Sequence, residues 1–237
     1  MRRPIRDRPS PNHDARPAGR AIDMLLLHYT GMPSAAAALD RLTDAAAKVS
    51  AHYLIDEDGT VRRLVPEARR AWHAGVACWA GERDINGLSI GIELVNPGHE
   101  FGYRPFPDAQ MAALEELARD ILGRHPIPAA RVLGHSDVAP GRKTDPGELF
   151  DWRRLAAAGI GLWPEPAAPG TSIDAAEVKR LLGAFGYGFL EEDLSAVIAA
   201  FQRHFRPGAI SGQADADTAG RLRALLDLAE RTKRLSD

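Results

Sequence analysis

The first 160 residues alternate between short apolar runs and longer amphipathic stretches. Met24-Leu25-Leu26-Leu27-His28-Tyr29 is four apolar residues closed by polar groups, as expected of a buried strand. An alanine-rich segment from Ser34 to Arg41 favours helix. Ala51 to Ile55 and Thr60 to Val65 flank Asp58-Gly59, which predicts a hairpin. Leu88 to Val95 reads as a further strand. Pro107 to Arg124 places Met111, Leu114, Leu117, Ala118, Ile121 and Leu122 on one helical stripe. Arg131 to His135 is a last strand. Strands interleaved with long helices predict an α/β sheet with helices packed on it.

The pattern changes after residue 162. Residues 163–171 carry Pro164, Pro166 and Pro169, a composition that forbids a helix interior and favours a stiff spacer. Residues 172–237 then read as a small three-helix domain. Asp174 and Glu177 have capping-box spacing, followed by Val178, Leu181, Leu182 and Phe185. Leu194, Val197, Ile198 and Phe201 repeat the stripe, as do Leu222, Leu225, Leu226 and Ala229. At the other end, residues 1–20 hold four prolines and six arginines and read as an extended, solvated lead-in. The body between them is residues 21–162.

Composition narrows the function classes. Hydrophobic residues make up 45% and charged residues 26%, too apolar for a disordered chain. The net charge of −2 is unsuited to a nucleic-acid coat. The last helical segment, from Ala214, balances its acidic and basic residues, which argues against a recognition helix facing phosphates. The single cysteine, Cys78, excludes an intramolecular disulfide framework and is expected to be a packed small side chain. No apolar run approaches the roughly 20 residues of a membrane span, and residues 1–20 lack the apolar core of an export signal. The expected compartment is the cytoplasm, with the periplasm or cell envelope as the alternative.

Candidate chemistry concentrates at strand ends. In Gly134-His135-Ser136-Asp137-Val138-Ala139-Pro140-Gly141-Arg142-Lys143-Thr144-Asp145-Pro146-Gly147, a histidine closes a strand and a Pro/Gly loop turns back, so that Asp145 can approach His135. Lys143 and Asp145, two apart, share a side if that piece is extended. Histidine and carboxylate are common zinc ligands, and a catalytic zinc takes three protein ligands. His28, closing the first strand, is the best third candidate. Glu93 is a carboxylate inside an apolar strand, costly to bury without a partner or a task. Taken singly, each residue has an ordinary structural explanation; together at strand ends they point to a site.

The set His28-Tyr29-Thr30, His52-Tyr53-Leu54-Ile55, Trp72-His73-Ala74-Gly75, Ser89-Ile90-Gly91-Ile92-Glu93 and the stretch from His135 to Gly147 resembles the N-acetylmuramoyl-L-alanine amidases of the AmpD/AmiD type, within the amidase-2 and peptidoglycan-recognition superfamily. The likeness covers roughly residues 10–160, and the last motif is highly specific. Phe201-Gln202 and Ser211 to Thr218 resemble, more weakly, a small three-helix peptidoglycan-binding domain. The resemblance implies a central mixed β-sheet flanked by helices. It implies one Zn²⁺ held by His28, His135 and Asp145, with Glu93 and Lys143 at the catalytic positions. Glu93 would relay a proton from water to the departing amine, and Lys143 would stabilise an oxyanion. Tyr29, His52, Trp72 and His73 are the expected substrate-binding residues, although a structural role for His52 is equally consistent. Superfamily members that use a tyrosine before the His-aromatic motif have it where this chain has Ala51, which excludes that variant. The phage enzymes' third ligand, a cysteine, is Asp145 here.

The expected reaction is hydrolysis of the amide between the muramic acid lactyl group and L-Ala, on 1,6-anhydro-muropeptides or on peptidoglycan. A non-catalytic muropeptide-recognition module is the alternative. His13, His99, His125 and His204 fall outside the motifs and are expected at the surface.

Overall fold

The computed structural model describes residues 3–165 and 174–236; most of the proline-rich 163–171 segment lies outside them. Eight strands and nine α-helices occur among the described residues. Six strands form one mixed sheet: β1 (Ile5–Asp7), β3 (Met24–Tyr29), β4 (Tyr53–Ile55), β5 (Val61–Arg63), β7 (Ser89–Leu94) and β8 (Val132–Gly134), in the order β1-β5-β4-β7-β3-β8. β3 runs parallel to both β7 and β8, and β4 parallel to β7. The Asp58-Gly59 hairpin supplies the antiparallel β4–β5 pair. β2 (His13–Ala15) and β6 (Arg69–Ala71) form a separate antiparallel ribbon.

The run Met24–Leu27 is apolar throughout because both faces of β3 are covered. Leu25 and Leu27 join the cluster under the long helix α4 (Asp108–Arg124), with Met111, Leu114, Leu117 and Ile121. Met24 and Leu26 belong to the opposite cluster. Side chains alternate along a strand, so His28 shares the Met24/Leu26 side. Of the other helices before residue 165, α1 (Ala35–Thr43) is capped by Ser34, whose Oγ accepts the Ala37 N–H. α2 (Ile85–Leu88), α3 (Gly98–Phe101), α5 (His135–Val138) and α6 (Trp152–Ala157) are short. None of the described helices is long and apolar enough to cross a membrane.

The C-terminal part folds as three helices, α7 (Ala175–Phe185), α8 (Leu194–Phe205) and α9 (Ala216–Ser236). Their apolar stripes do not close on themselves alone. Val178, Leu182, Val197, Phe201 and Leu222 form one continuous cluster with Met24, Leu26, Leu133 and Val138 of the sheet region. Asp174 caps α7 through the Ala176 N–H, but Glu177 completes no box; its carboxylate pairs with Arg223 of α9 at 2.6 Å.

Three further expectations are corrected. Among the described residues 3–20 the lead-in is extended and largely exposed, as expected, but it is not detached: β1 extends the main sheet, and Ser10 and Asn12 are buried. Arg16 donates to the carbonyls of Glu67, Gly87 and Ser89. His204 is not at the surface but almost fully buried, and His125 is partly buried against Glu67 at 2.7 Å. His135 does not end its strand; it opens α5 directly after β8.

His52 is fully enclosed. Its Nδ1 accepts the Gly91 N–H at 2.9 Å, and its Nε2 lies 2.9 Å from Arg16 Nη2 and 3.1 Å from the Arg69 carbonyl. Burial, reinforced by the Arg16 charge, lowers its pKa to about 3. An unfolded histidine titrates near 6.5. Below that pH the unfolded chain binds a proton the folded chain refuses, so stability falls as pH drops from about 6.5 to about 3. His52→Gln removes that proton, and denaturant midpoints measured at pH 7 and pH 4 should differ less than in the wild type.

Candidate metal centre and cleft

The parallel strands β3, β7 and β8 deliver the chemistry at their carboxyl ends, where open α/β sheets place ligands. His28 is the fifth residue of β3. Glu93 sits directly opposite it on β7, in register with His28 on one side and Leu54 on the other. His135 follows β8. The loop after α5 returns as its Pro140-Gly141 turn suggested, and the Ser136 N–H donates to the Asp145 carbonyl at 2.9 Å.

Three side-chain atoms converge. His28 Nδ1, His135 Nδ1 and Asp145 Oδ2 lie 3.0, 3.1 and 3.1 Å apart, and all three residues are buried. Ligands on a tetrahedral zinc, at bond lengths of about 2.0–2.2 Å, stand about 3.4 Å apart, within a few tenths of this triangle.

The hydrogen bonds behind the triangle decide what those atoms present. His135 Nε2 donates to the Ala74 carbonyl at 2.9 Å, which leaves Nδ1 as a bare lone pair. Ser89 Oγ donates to the Ile85 carbonyl at 2.6 Å and accepts from His73 Nε2 at 3.4 Å. His73 Nδ1 is therefore the acceptor for the His28 Nε2–H at 3.1 Å, and His28 Nδ1 is bare as well. Two lone pairs and a carboxylate oxygen facing one another at 3 Å repel unless a cation lies between them. The donor set fits a divalent metal.

Protonation points the same way. Burial, with the neighbouring His135, pushes His28 down to about 4, so it is neutral and ligating at pH 7. Burial alone would raise the Asp145 carboxyl, but any proton taken up by the triangle resides on His135 or His28, whose charge and hydrogen bonds outweigh burial and hold the carboxyl well below the usual carboxylate range.

His135 and Asp145 open on a cleft of about 390 Å³. Tyr29, Trp72, His73, Glu93, His135, Lys143 and Asp145 all line it. Glu93 Oε2 is a buried oxygen with no hydrogen-bond partner among the described residues. Burial, then the nearby Asp145, raises the Glu93 carboxyl well above its ordinary value, with Lys143 opposing. Tyr29 OH is held by His99 Nδ1 at 2.9 Å and Thr144 Oγ1 at 3.1 Å. His52 does not line the cleft; it lies behind His73, ring to ring at 5.6 Å, and the expected substrate contact is replaced by its backbone bonds.

His73 has a task that the sequence does not announce, as the partner of His28. A signal for it existed in Gly91. A Cβ there would lie 2.6 Å from the His73 ring, so glycine in an otherwise apolar strand marks where a ring lies against the backbone. Replacing His73 by Phe removes the acceptor for His28 Nε2. Zinc affinity should drop about 10–100-fold, the usual effect of losing such an outer partner, as measured by competition with a chromophoric chelator.

The family model for N-acetylmuramoyl-L-alanine amidases (Amidase_2) matches residues 18–148, more than half of the chain. The N-acetylmuramoyl-L-alanine amidase AmiD of Escherichia coli is 41% identical over 232 residues, covering 87% of this chain and 83% of AmiD. This chain belongs to that amidase family. The amidase is also 37% identical to the 1,6-anhydro-N-acetylmuramyl-L-alanine amidase AmpD of Enterobacter cloacae, over 63% of its own length and 87% of AmpD. Among solved structures it superposes on E. coli AmiD in complex with anhydro-N-acetylmuramic acid-L-Ala-D-γ-Glu-L-Lys, with TM-score 0.79 and 40% identity over 90% of this chain and 93% of that one. It matches Pseudomonas aeruginosa AmpDH3 in complex with an anhydromuramic pentapeptide at TM-score 0.81 and 35% identity, over 90% and 94% of the two chains. Both matches extend into the C-terminal helices, since residues 1–165 alone fall short of that coverage.

Proposed function

We propose that this amidase is zinc-dependent and hydrolyses the amide between the lactyl group of muramic acid and the L-Ala of the stem peptide, on 1,6-anhydro-muropeptides. The observation that carries the proposal is the triangle of His28, His135 and Asp145, of which His135 and Asp145 line a cleft with Glu93 and Lys143. The AmiD and AmpDH3 structures with anhydromuramyl peptides support the substrate class.

His28, His135 and Asp145 would hold the ion. Zinc in such a site supplies Lewis acidity, lowering the pKa of water to about 7 and polarising a carbonyl. Glu93 takes a proton from the attacking water as its oxygen bonds to the lactyl carbonyl carbon. When the C–N bond breaks, Glu93 delivers that proton to the departing L-Ala nitrogen. A carboxyl that burial makes reluctant to ionise is a good proton carrier for this exchange, because neither protonation state is strongly favoured once a cation sits nearby. Lys143 places its ammonium where negative charge develops on the carbonyl oxygen. Lys143→Met should lower kcat about 10²–10³-fold, the typical cost of one such donor, with bound zinc unchanged. Tyr29 and Trp72 offer ring faces to the sugar.

The test is digestion of purified anhydro-muropeptide and of intact cell wall side by side, following release of peptide with a free L-Ala amine. Loss of release on chelation and recovery with zinc supports the reading. Stoichiometric zinc with no peptide released would make the chain a recognition module instead. The compartment we assign is the cytoplasm, in keeping with the single buried thiol of Cys78. Fractionation that places the protein mainly in the periplasm overturns that assignment.

A further inference from the structure

A buried ionic cluster joins the helical module to the turn that carries a metal ligand. Asp137 lies two residues after His135 on the same four-residue helix, α5. Its Oδ2 accepts the Gly134 N–H at 2.8 Å and His204 Nδ1–H at 2.7 Å, and its Oδ1 accepts the Tyr187 hydroxyl at 2.6 Å. Asp137 is fully buried, and His204 and Tyr187 are each only 3% exposed. The His204 ring lies flat on Trp152, centroids 3.7 Å apart, and is stacked with Phe205. Trp79 meets the Tyr187 ring edge-on.

Two of the three donors to Asp137 therefore come from beyond residue 174. The surrounding contact between sheet region and helical module is already apolar, with Leu133, Val138, Phe201 and Phe205 in one cluster. Such a contact does not need a carboxylate, and sealing one from water is costly unless its bonds are complete. What a carboxylate adds is direction. Through Oδ2 it pins the Gly134 N–H, the joint at which β8 ends and His135 begins. That joint has no slack on its other side, because a Cβ on Gly134 would lie 2.7 Å from Pro146 and 3.2 Å from Trp152.

We infer that Tyr187 and His204 are positioning residues for the metal ligand His135, acting through Asp137 and the Gly134 N–H. The helical module thus completes the metal centre from behind, whatever else its surface binds. The inference rests on the zinc reading given above.

The experiment uses the full chain as Tyr187→Phe, His204→Leu and His204→Asn, the last of which keeps an N–H donor near the place of Nδ1. Zinc affinity is read by chelator competition, the Co²⁺-substituted absorption spectrum reports ligand geometry, and kcat and KM are separated on anhydro-muropeptide. Tyr187→Phe and His204→Leu should weaken zinc binding about 10-fold, at the low end for outer partners, alter the Co²⁺ band and lower kcat more than KM. His204→Asn should recover most of the affinity. Variants that melt earlier yet bind zinc and Co²⁺ as the wild type does would show that the cluster only fastens the module, and would overturn the inference. A wild-type chain that binds no zinc would overturn the zinc reading itself, and this inference with it.

Discussion

Glu93→Gln should lower the hydrolysis rate about 10²–10⁴-fold, the usual contribution of a positioned general acid–base group, while zinc binds as in the wild type. Glu93 is not one of the three converging ligand atoms, which is why metal content and activity should part. Gln keeps the volume and the polar atoms in a place where Glu93 Oε2 already lacks a partner, so folding should be undisturbed. Burial holds the carboxyl well above its ordinary value; replacing it removes the group proposed to accept a proton from water and return it. Equal zinc stoichiometry by elemental analysis, with single-turnover peptide release slowed at saturating substrate, is the expected pair of results. Wild-type rates in the variant would remove Glu93 from the chemistry. Loss of zinc together with rate would make it a ligand.

Asp145→Ala should have the opposite signature, with metal and activity lost together. The aspartate is the only charged ligand in the set, and without it two neutral imidazoles face a divalent cation. The loss in affinity should exceed the roughly 10–100-fold that accompanies loss of an outer partner. A stability readout makes this independent of catalysis. Zinc at about 100 times its Kd should raise the stability of the wild type by about 2.7 kcal/mol, seen as a higher melting temperature, and leave Asp145→Ala unmoved. A zinc-induced shift of the same size in the variant would mean that the ion sits elsewhere.

Much of this architecture was legible in the chain because its determinants are local. The apolar block Met24–Leu27 can only be a strand covered on both sides, and it is. Asp58-Gly59 specifies a tight reversal, and β4 pairs antiparallel with β5 across it. The stripe of Met111, Leu114, Leu117 and Ile121 has the period of a helix and packs as one. The meeting of His28, His135 and Asp145 was readable as well, since strand ends and a returning Pro/Gly loop gather them.

Other features had no local signal. Residues 1–20, rich in arginine and proline, have the composition of a solvated segment, yet β1 finds the open edge of β5 and Arg16 finds three carbonyls. Both partners lie more than fifty residues away. His204 sits on an ordinary amphipathic helix, and nothing around it in the sequence distinguishes a surface histidine from one bonded to Asp137. His52 and His73 carry equal weight as motif residues, but one is sealed behind the other.

The sequence by itself determined the central strands, the long helices and which side chains carry donor chemistry, because periodicity, turn residues and donor chemistry act over a few positions. Only the tertiary structure decided which nitrogen of each histidine is bare, which histidines stand behind His28 and His135, and that the last helices reach the turn that carries His135. Those outcomes depend on hydrogen-bond partners far apart in the chain, and no local pattern records a partner that folding alone brings near.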